Sequence, residues 1–238
     1  MKIDLLAIGA HPDDVELGAG GTIAREVASG RKVGIIDLTR GELGTRGSAE
    51  EREREAADAA AILGVEFRTN LCFSDGFFQN DEAHQRALIE QIRFYRPDIV
   101  ICNAVIDRHT DHGKGASLVS TACFLSGLRK ISTHWGGQEQ EAWRPGAVYH
   151  YIQDRYLNPD FVVDISAFMD TKMEAVKAFR TQFYDPQSKE PQTPISSREF
   201  LDFLIARATE MGRPAGFRYA EGFTVERIAG VKSLFDLA

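Results

Sequence analysis

Cysteine is scarce in this sequence. Among 238 residues there are three, Cys72, Cys102 and Cys123, an odd number with no CxxC pair. Cys72 and Cys102 fall in strand-like apolar stretches, so the pattern reads as buried reduced thiols in a reducing compartment. Long apolar runs are missing too. None reaches the roughly 20 residues that a bilayer-spanning helix needs. Residues 1–10 carry one lysine and a short apolar run that leads straight into a polar motif without a small-residue cleavage site. That segment reads as a first strand rather than a signal peptide, and a cytoplasmic protein with no membrane partner is expected. A surplus of positive charge is the third absence: 28 Lys and Arg face 35 Asp and Glu, for a formal net charge of -7. Nucleic acid is excluded as a partner of a broad face, because phosphate contacts need clustered cations. A small anionic ligand needs only a few local arginines and stays open.

What is present is an ordinary globular balance, 43% apolar and 26% charged, over a length able to build a core without disulfides. Apolar runs at 3–10, 33–38, 66–73 and 98–103 alternate with helical patterns at 22–29, 49–64, 82–95 and 112–129. Gly30 stands where a helix would be capped, and Pro97 closes another. In the helix at 49–64, Ala57, Ala60, Ala61 and Leu63 are expected on the apolar face and the charges in solvent. Strand–helix alternation with short links predicts an α/β fold, a Rossmann-like, mostly parallel β-sheet sandwiched between helices. Further strands are expected at 147–152, 161–165 and 219–225, with helices at 166–183 and 198–211 around a proline-containing loop at 184–194. No repeat or long linker divides the chain, so residues 1–238 are expected to form a single domain.

Ligands of such sheets bind beyond the carboxyl ends of the strands. The first strand ends in Ala10-His11-Pro12-Asp13-Asp14, followed by Glu16 and the glycines of Gly18-Ala19-Gly20-Gly21. Two adjacent aspartates there must be offset by a cation, a metal or hydrogen bonds, or else one of them caps the next helix. The fourth strand leads into Asp107-Arg108-His109-Thr110-Asp111-His112 at the same sheet edge. His11 and Asp14 are three apart, as are His109 and His112, and donors at that spacing can converge on one ion. Two histidines and a carboxylate with an open position suit catalytic zinc, but also non-haem Fe(II). Hydrolysis at such a metal further needs a base that is not a ligand, which Asp13 can provide, and a donor to the developing oxyanion. His109, oriented by Asp111, can serve as that donor in its imidazolium form. A non-catalytic nucleotide site at Gly18 to Gly21 is disfavoured, because GxGxxG spacing is absent and the aspartates would repel pyrophosphate.

These segments resemble the PIG-L/LmbE family of zinc-dependent N-acetylglucosaminyl deacetylases, whose AHPDD and HxDH signatures stand here as Ala10 to Asp14 and His109 to His112. The resemblance follows the order of elements to Tyr219-Ala220-Glu221-Gly222-Phe223. It implies a Rossmann-like fold and Zn2+ on His11, Asp14 and His112, with Fe2+ as the in vivo alternative. It also implies Asp13 as general base and acid, His109 as oxyanion donor, Asp111 as its orienter, and a homo-oligomer. Residues 37–47 are most similar to the bacillithiol-biosynthesis branch, which deacetylates N-acetylglucosaminyl-malate; chitobiose-type and inositol conjugates are the alternatives. An anionic amino-sugar substrate suits the arginines at the active edge, with Arg52 and Arg108 as the expected substrate contacts. Where some relatives carry a tyrosine near the oxyanion, Phe200 stands here and has no hydrogen bond to give.

Overall fold

The computed structural model describes residues 1–237, with side chains to residue 235. The first half is an unbroken alternation: β1 (Leu5–Gly9), α1 (Asp14–Ala28), β2 (Val33–Thr39), α2 (Ala49–Leu63), β3 (Phe67–Phe73), α3 (Glu82–Tyr95), β4 (Ile99–Cys102) and α4 (Thr110–Ser126). A short hairpin of β5 (His134–Trp135) and β6 (Gln138–Glu139) follows. Then come β7 (Ala147–Tyr151), β8 (Phe161–Asp164), α5 (Met169–Ala178), α6 (Arg198–Gly212) and β9 (Ala220–Val225).

The main sheet has the order β3-β2-β1-β4-β7-β9-β8. Strands β3, β2, β1, β4 and β7 are parallel, β9 runs antiparallel to β7, and β8 antiparallel to β9. Side chains alternate across it with period two. Leu5, Ala7, Val33 and Ile35 meet α1, α2, α5 and α6 on one face. Leu6, Ile8, Ile36 and Leu38 meet α3 and α4 on the other. These last four are fully buried, each contributing about 1.5–3 kcal/mol. Covering both faces is what leaves β1 and β2 buried along their whole length.

Strand β1 lies between β2 and β4, so the chain turns opposite ways from it. At such a switch point the loops leaving the carboxyl ends of neighbouring strands part and leave a crevice. The loops after β1 and β4 flank that crevice.

Four local features differ from expectation. Helix α1 starts at Asp14, so Gly18 to Gly21 are helical and form no phosphate loop. The buried stripe of α2 is Arg52, Glu55, Ala56, Ala59 and Leu63, one position away from the alanines anticipated. Helix α5 ends at Ala178, short of residue 183. Cys72 is exposed, unlike the buried Cys102 and Cys123. It sits on an edge strand at φ 53°, where the β2–β3 register shifts and the Asn70 side chain captures its N–H at 2.7 Å. Among the described residues no helix is long and apolar enough to cross a membrane.

Candidate metal centre and catalytic pocket

The loop after β1 is gripped from both neighbouring strands. Asn103, just past β4, accepts the Ala10 N–H at 2.8 Å, and Thr39 of β2 donates its hydroxyl to the Ala10 carbonyl at 2.9 Å. Asp13 follows at φ 117°, a left-handed conformation costing on the order of 1–3 kcal/mol for a residue with a Cβ. It occupies the N-cap position of α1 but makes no side-chain cap bond. Capping is therefore not its task.

The expected ligands converge. Asp14 Oδ1 lies 3.0 Å from His112 Nε2, and Asp14 Oδ2 lies 3.5 Å from His11 Nδ1. Neighbouring donors of a tetrahedral zinc site, each about 2.0–2.2 Å from the metal, stand about 3.3 Å apart. The far nitrogen of each imidazole is backed by a carboxylate: Asp75 at 3.1 Å from His11 Nε2 and Asp107 at 2.6 Å from His112 Nδ1. A proton held on each backed nitrogen leaves the other lone pair facing Asp14. Acceptor then faces acceptor unless a cation or further protons lie between, and this carboxylate–histidine pairing is the usual support of a metal ligand. Without a metal, charge on the imidazoles compensates. Burial opposes that charge, yet Asp111, Asp14 and Asp75 hold His11 well above the ordinary range, and Asp14 and Asp107 push His112 up to about 9. Burial would raise Asp14, but His112 and His11 hold it well below the carboxylate range.

Asp14 is also oriented by three neutral donors: the His11 N–H at 2.9 Å, Asn103 Nδ2 at 2.9 Å and Gln153 Nε2 at 3.0 Å. Asp75, Asn103 and Gln153 went unnoticed in the sequence. Their shared signal is position, since each is a polar residue just past the carboxyl end of a parallel strand, β3, β4 or β7.

Asp13 is held by Arg52, whose Nη2 lies 2.7 Å from Asp13 Oδ2. Burial pushes Asp13 up to about 7, and Arg52 restrains the rise. A carboxyl so poised suits a group that must take up and release a proton near neutrality. His109 is half-buried at the start of α4, where its Nδ1 accepts the Asp111 N–H at 3.3 Å. That bond requires an unprotonated Nδ1, so the ring is neutral with its proton on Nε2. Burial and the nearby His11 and His112 also lower its basicity. The imidazolium anticipated for His109 is thus replaced by a neutral donor. The nitrogens of His11, His109 and His112 lie within 4.8 Å of one another, as do donor atoms of His11, Asp75 and Asp111.

Two expected contacts are relocated. The Asp111 carboxylate turns away from His109. It accepts from the Gly76 N–H at 2.7 Å and Lys114 Nζ at 3.1 Å, and lies 3.5 Å from His11 Nε2. Arg52 is buried, its fork spent on Asp13, the Pro12 carbonyl at 2.8 Å and the Gly41 carbonyl at 3.3 Å. It supports the Asp13 loop from the lining of the catalytic cavity. Arg108 remains on the rim, held by Asp154 at its Nε. Among the described residues nothing else engages its terminal nitrogens.

The expected site residues other than Asp111 line one cavity of about 290 Å³, with Ile195, Phe200 and Phe203 forming the wall. Phe200 stacks on Phe183 with ring planes 2° apart, so it contributes shape and no proton.

A buried His/Asp donor set that could hold a metal ion, beside a poised carboxyl, lies at the switch point of a Rossmann-like sheet. The PIG-L family model, described as GlcNAc-PI de-N-acetylase, matches residues 6–123. The chain is 42% identical over 181 residues to the uncharacterized deacetylase YaiS of Escherichia coli K12, covering 71% of this chain and 90% of that one. It is 29% identical over 231 residues to the diacetylchitobiose deacetylase of Thermococcus kodakarensis, covering 92% and 81%. The crystal structure of the conserved protein TT1542 from Thermus thermophilus superposes with a TM-score of 0.85 at 38% identity, over 96% of this chain and 97% of that one. The chain belongs to the PIG-L family. It is a deacetylase, a hydrolase of an amide C–N bond.

Proposed function

We propose that this deacetylase removes the acetyl group from an N-acetylglucosamine conjugate, with N-acetylglucosaminyl-malate as the substrate and zinc held by His11, Asp14 and His112. The observation that carries the metal reading is the pair of carboxylate-backed histidines turned toward Asp14. Bound there, zinc would supply Lewis acidity toward the acetamide oxygen and acidify water, while Fe(II) takes the same donors.

The chain's own groups do the rest. Asp13, buried and restrained by Arg52, takes a proton from the attacking water and returns it to the departing amine. His109, with its Nε2–H directed by the bond at Nδ1, donates to the oxygen that gains charge. Asn103 and Gln153 hold Asp14 in one orientation. The aromatic wall, Phe200 and Phe203, excludes water and packs the sugar face.

The malate assignment draws support from Arg108, whose terminal nitrogens suit a carboxylate on the aglycone. A second reading has its own support. Asp154 already offsets the charge of Arg108, so a neutral aglycone such as that of diacetylchitobiose, the substrate named for the Thermococcus relative, suits the same rim. Acetate release from N-acetylglucosaminyl-malate, diacetylchitobiose and an inositol conjugate, with and without chelator, separates them. The malate reading expects the highest kcat/KM on the first and a loss in Arg108→Ala of about tenfold to hundredfold there alone, the scale of a lost charge-assisted contact. Equal losses on all substrates would place Arg108 in the fold or metal centre and remove the malate reading.

A further inference from the structure

Two sequence features that the catalytic reading leaves unused, the glycines of α1 and the Glu221 segment of β9, meet inside the protein. Lys172 of α5 and Glu221 are both buried, and their charged groups are 2.5 Å apart. Glu221 accepts the backbone N–H of Gly21 at 3.0 Å and of Thr22 at 2.7 Å, both from the middle of α1. Lys172 Nζ donates to the Leu17 carbonyl at 2.7 Å. In an undisturbed α-helix the Gly21 N–H would bond to that same Leu17 carbonyl. The ion pair therefore occupies both halves of one rung of the helix ladder.

Gly18 and Gly21 make room for the side chains that pack against α1 beside this pair. A Cβ at Gly21 would sit 2.8 Å from the Ile165 side chain, one at Gly18 would overlap the Tyr151 ring, and one at Gly20 would lie 3.4 Å from Lys172 Cγ. The turn of α1 ahead of this rung carries Asp14 and Leu17, with Asp13 at its start, and Leu17 lines the catalytic cavity. We propose that Lys172 and Glu221 are positioning residues, an ion pair spliced into α1 that sets the angle of its first turn and so aims Asp13 and Asp14. This rests on the roles assigned to those aspartates under Proposed function. Stability alone is a poor reason to keep such a pair, because desolvation offsets much of its Coulomb gain and apolar replacements are often neutral.

The test replaces both members at once, Lys172→Met with Glu221→Leu, so that no buried charge is orphaned. Thermal midpoint, zinc affinity by chelator competition, and kcat and KM on an N-acetylglucosaminide that the parent hydrolyses are measured together. The expected result is a near-parental midpoint and KM, with zinc affinity and kcat each lower by about tenfold to hundredfold, the scale of lost support to a metal ligand. A folded double variant with parental zinc affinity and kcat overturns the proposal. If that variant does not fold, Glu221→Gln keeps the shape and one acceptor. The same direction of change is expected there, and parental zinc affinity and kcat per folded molecule again overturn it. Failure of the parent to release acetate would count against the substrate reading alone, since the zinc measurement needs no turnover.

Discussion

Arg52→Ala separates support of the Asp13 loop from substrate binding. In the wild type the Arg52 fork satisfies one carboxylate and two backbone carbonyls, and both members of the Asp13–Arg52 pair are about 6% exposed. Removing one partner of a buried pair costs about 3–5 kcal/mol, because the Asp13 carboxyl must then stay buried unpaired or take up a proton, and two backbone carbonyls lose their donor. In a chain of this size, at about 2–4 °C per kcal/mol, the midpoint should fall by about 6–20 °C. Differential scanning calorimetry reads this directly. Arg52→Lys should recover only part of it, since an ammonium cannot span the three acceptors. Asp13→Asn combined with Arg52→Ala should be less destabilised than the sum of the single variants, because the orphaned charge is gone. A substrate arginine behaves otherwise: its loss raises KM for an anionic substrate and leaves the midpoint alone. A midpoint within about 2 °C of wild type would refute the reasoning, since that is under 1 kcal/mol.

Asp13→Asn should keep its zinc but lower kcat by about a hundredfold or more, the scale of general acid–base catalysis; loss of zinc here with retention in Asp14→Asn would reverse the two aspartates. At the carboxyl end of the β4–β7 seam, His150 donates to the Asn103 carbonyl at 2.8 Å and Glu226 at 3.0 Å. Burial opposes its charge, but Cys102, Glu226 and that carbonyl push it up to about 11. A raised folded pKa means the stabilisation is complete below the unfolded value of about 6.5 and is lost as pH rises toward 11. The stability gap between wild type and His150→Gln, from urea titrations across this range, should narrow steadily above pH 6.5; a gap that widens would contradict the assignment.

Several parts were legible in the sequence because they are local. Apolar runs separated by capped helices gave the parallel sheet, and the spacing His11, Asp14 and His109, His112 pointed to the crevice where both loops meet. The supports were harder to read because they come from separate loops. Asp75, Asn103 and Gln153 each look like an ordinary polar residue after a strand, and only the sheet order brings them onto His11 and Asp14. The tie of Arg52 to Asp13 was hidden for a different reason. In a run as charged as 49–58, arginine suggests solvent, but the inward stripe of α2 runs 52, 56, 59, 63, and packing carried the guanidinium under the Asp13 loop. The glycines of α1 suggested a loop by composition, whereas close approach of Tyr151 and Ile165 is what requires Gly18 and Gly21.

The central claim is that a metal on His11, Asp14 and His112 serves the deacetylation. It is tested most directly by bound zinc and acetate release in wild type and His112→Ala, each matched for folded protein. Wild type should hold one equivalent of metal and lose turnover to a chelator. His112→Ala should lose the metal, and its turnover should fall by more than about a hundredfold, beyond what loss of a supporting residue costs. A folded His112→Ala that keeps one equivalent and wild-type turnover would contradict the account.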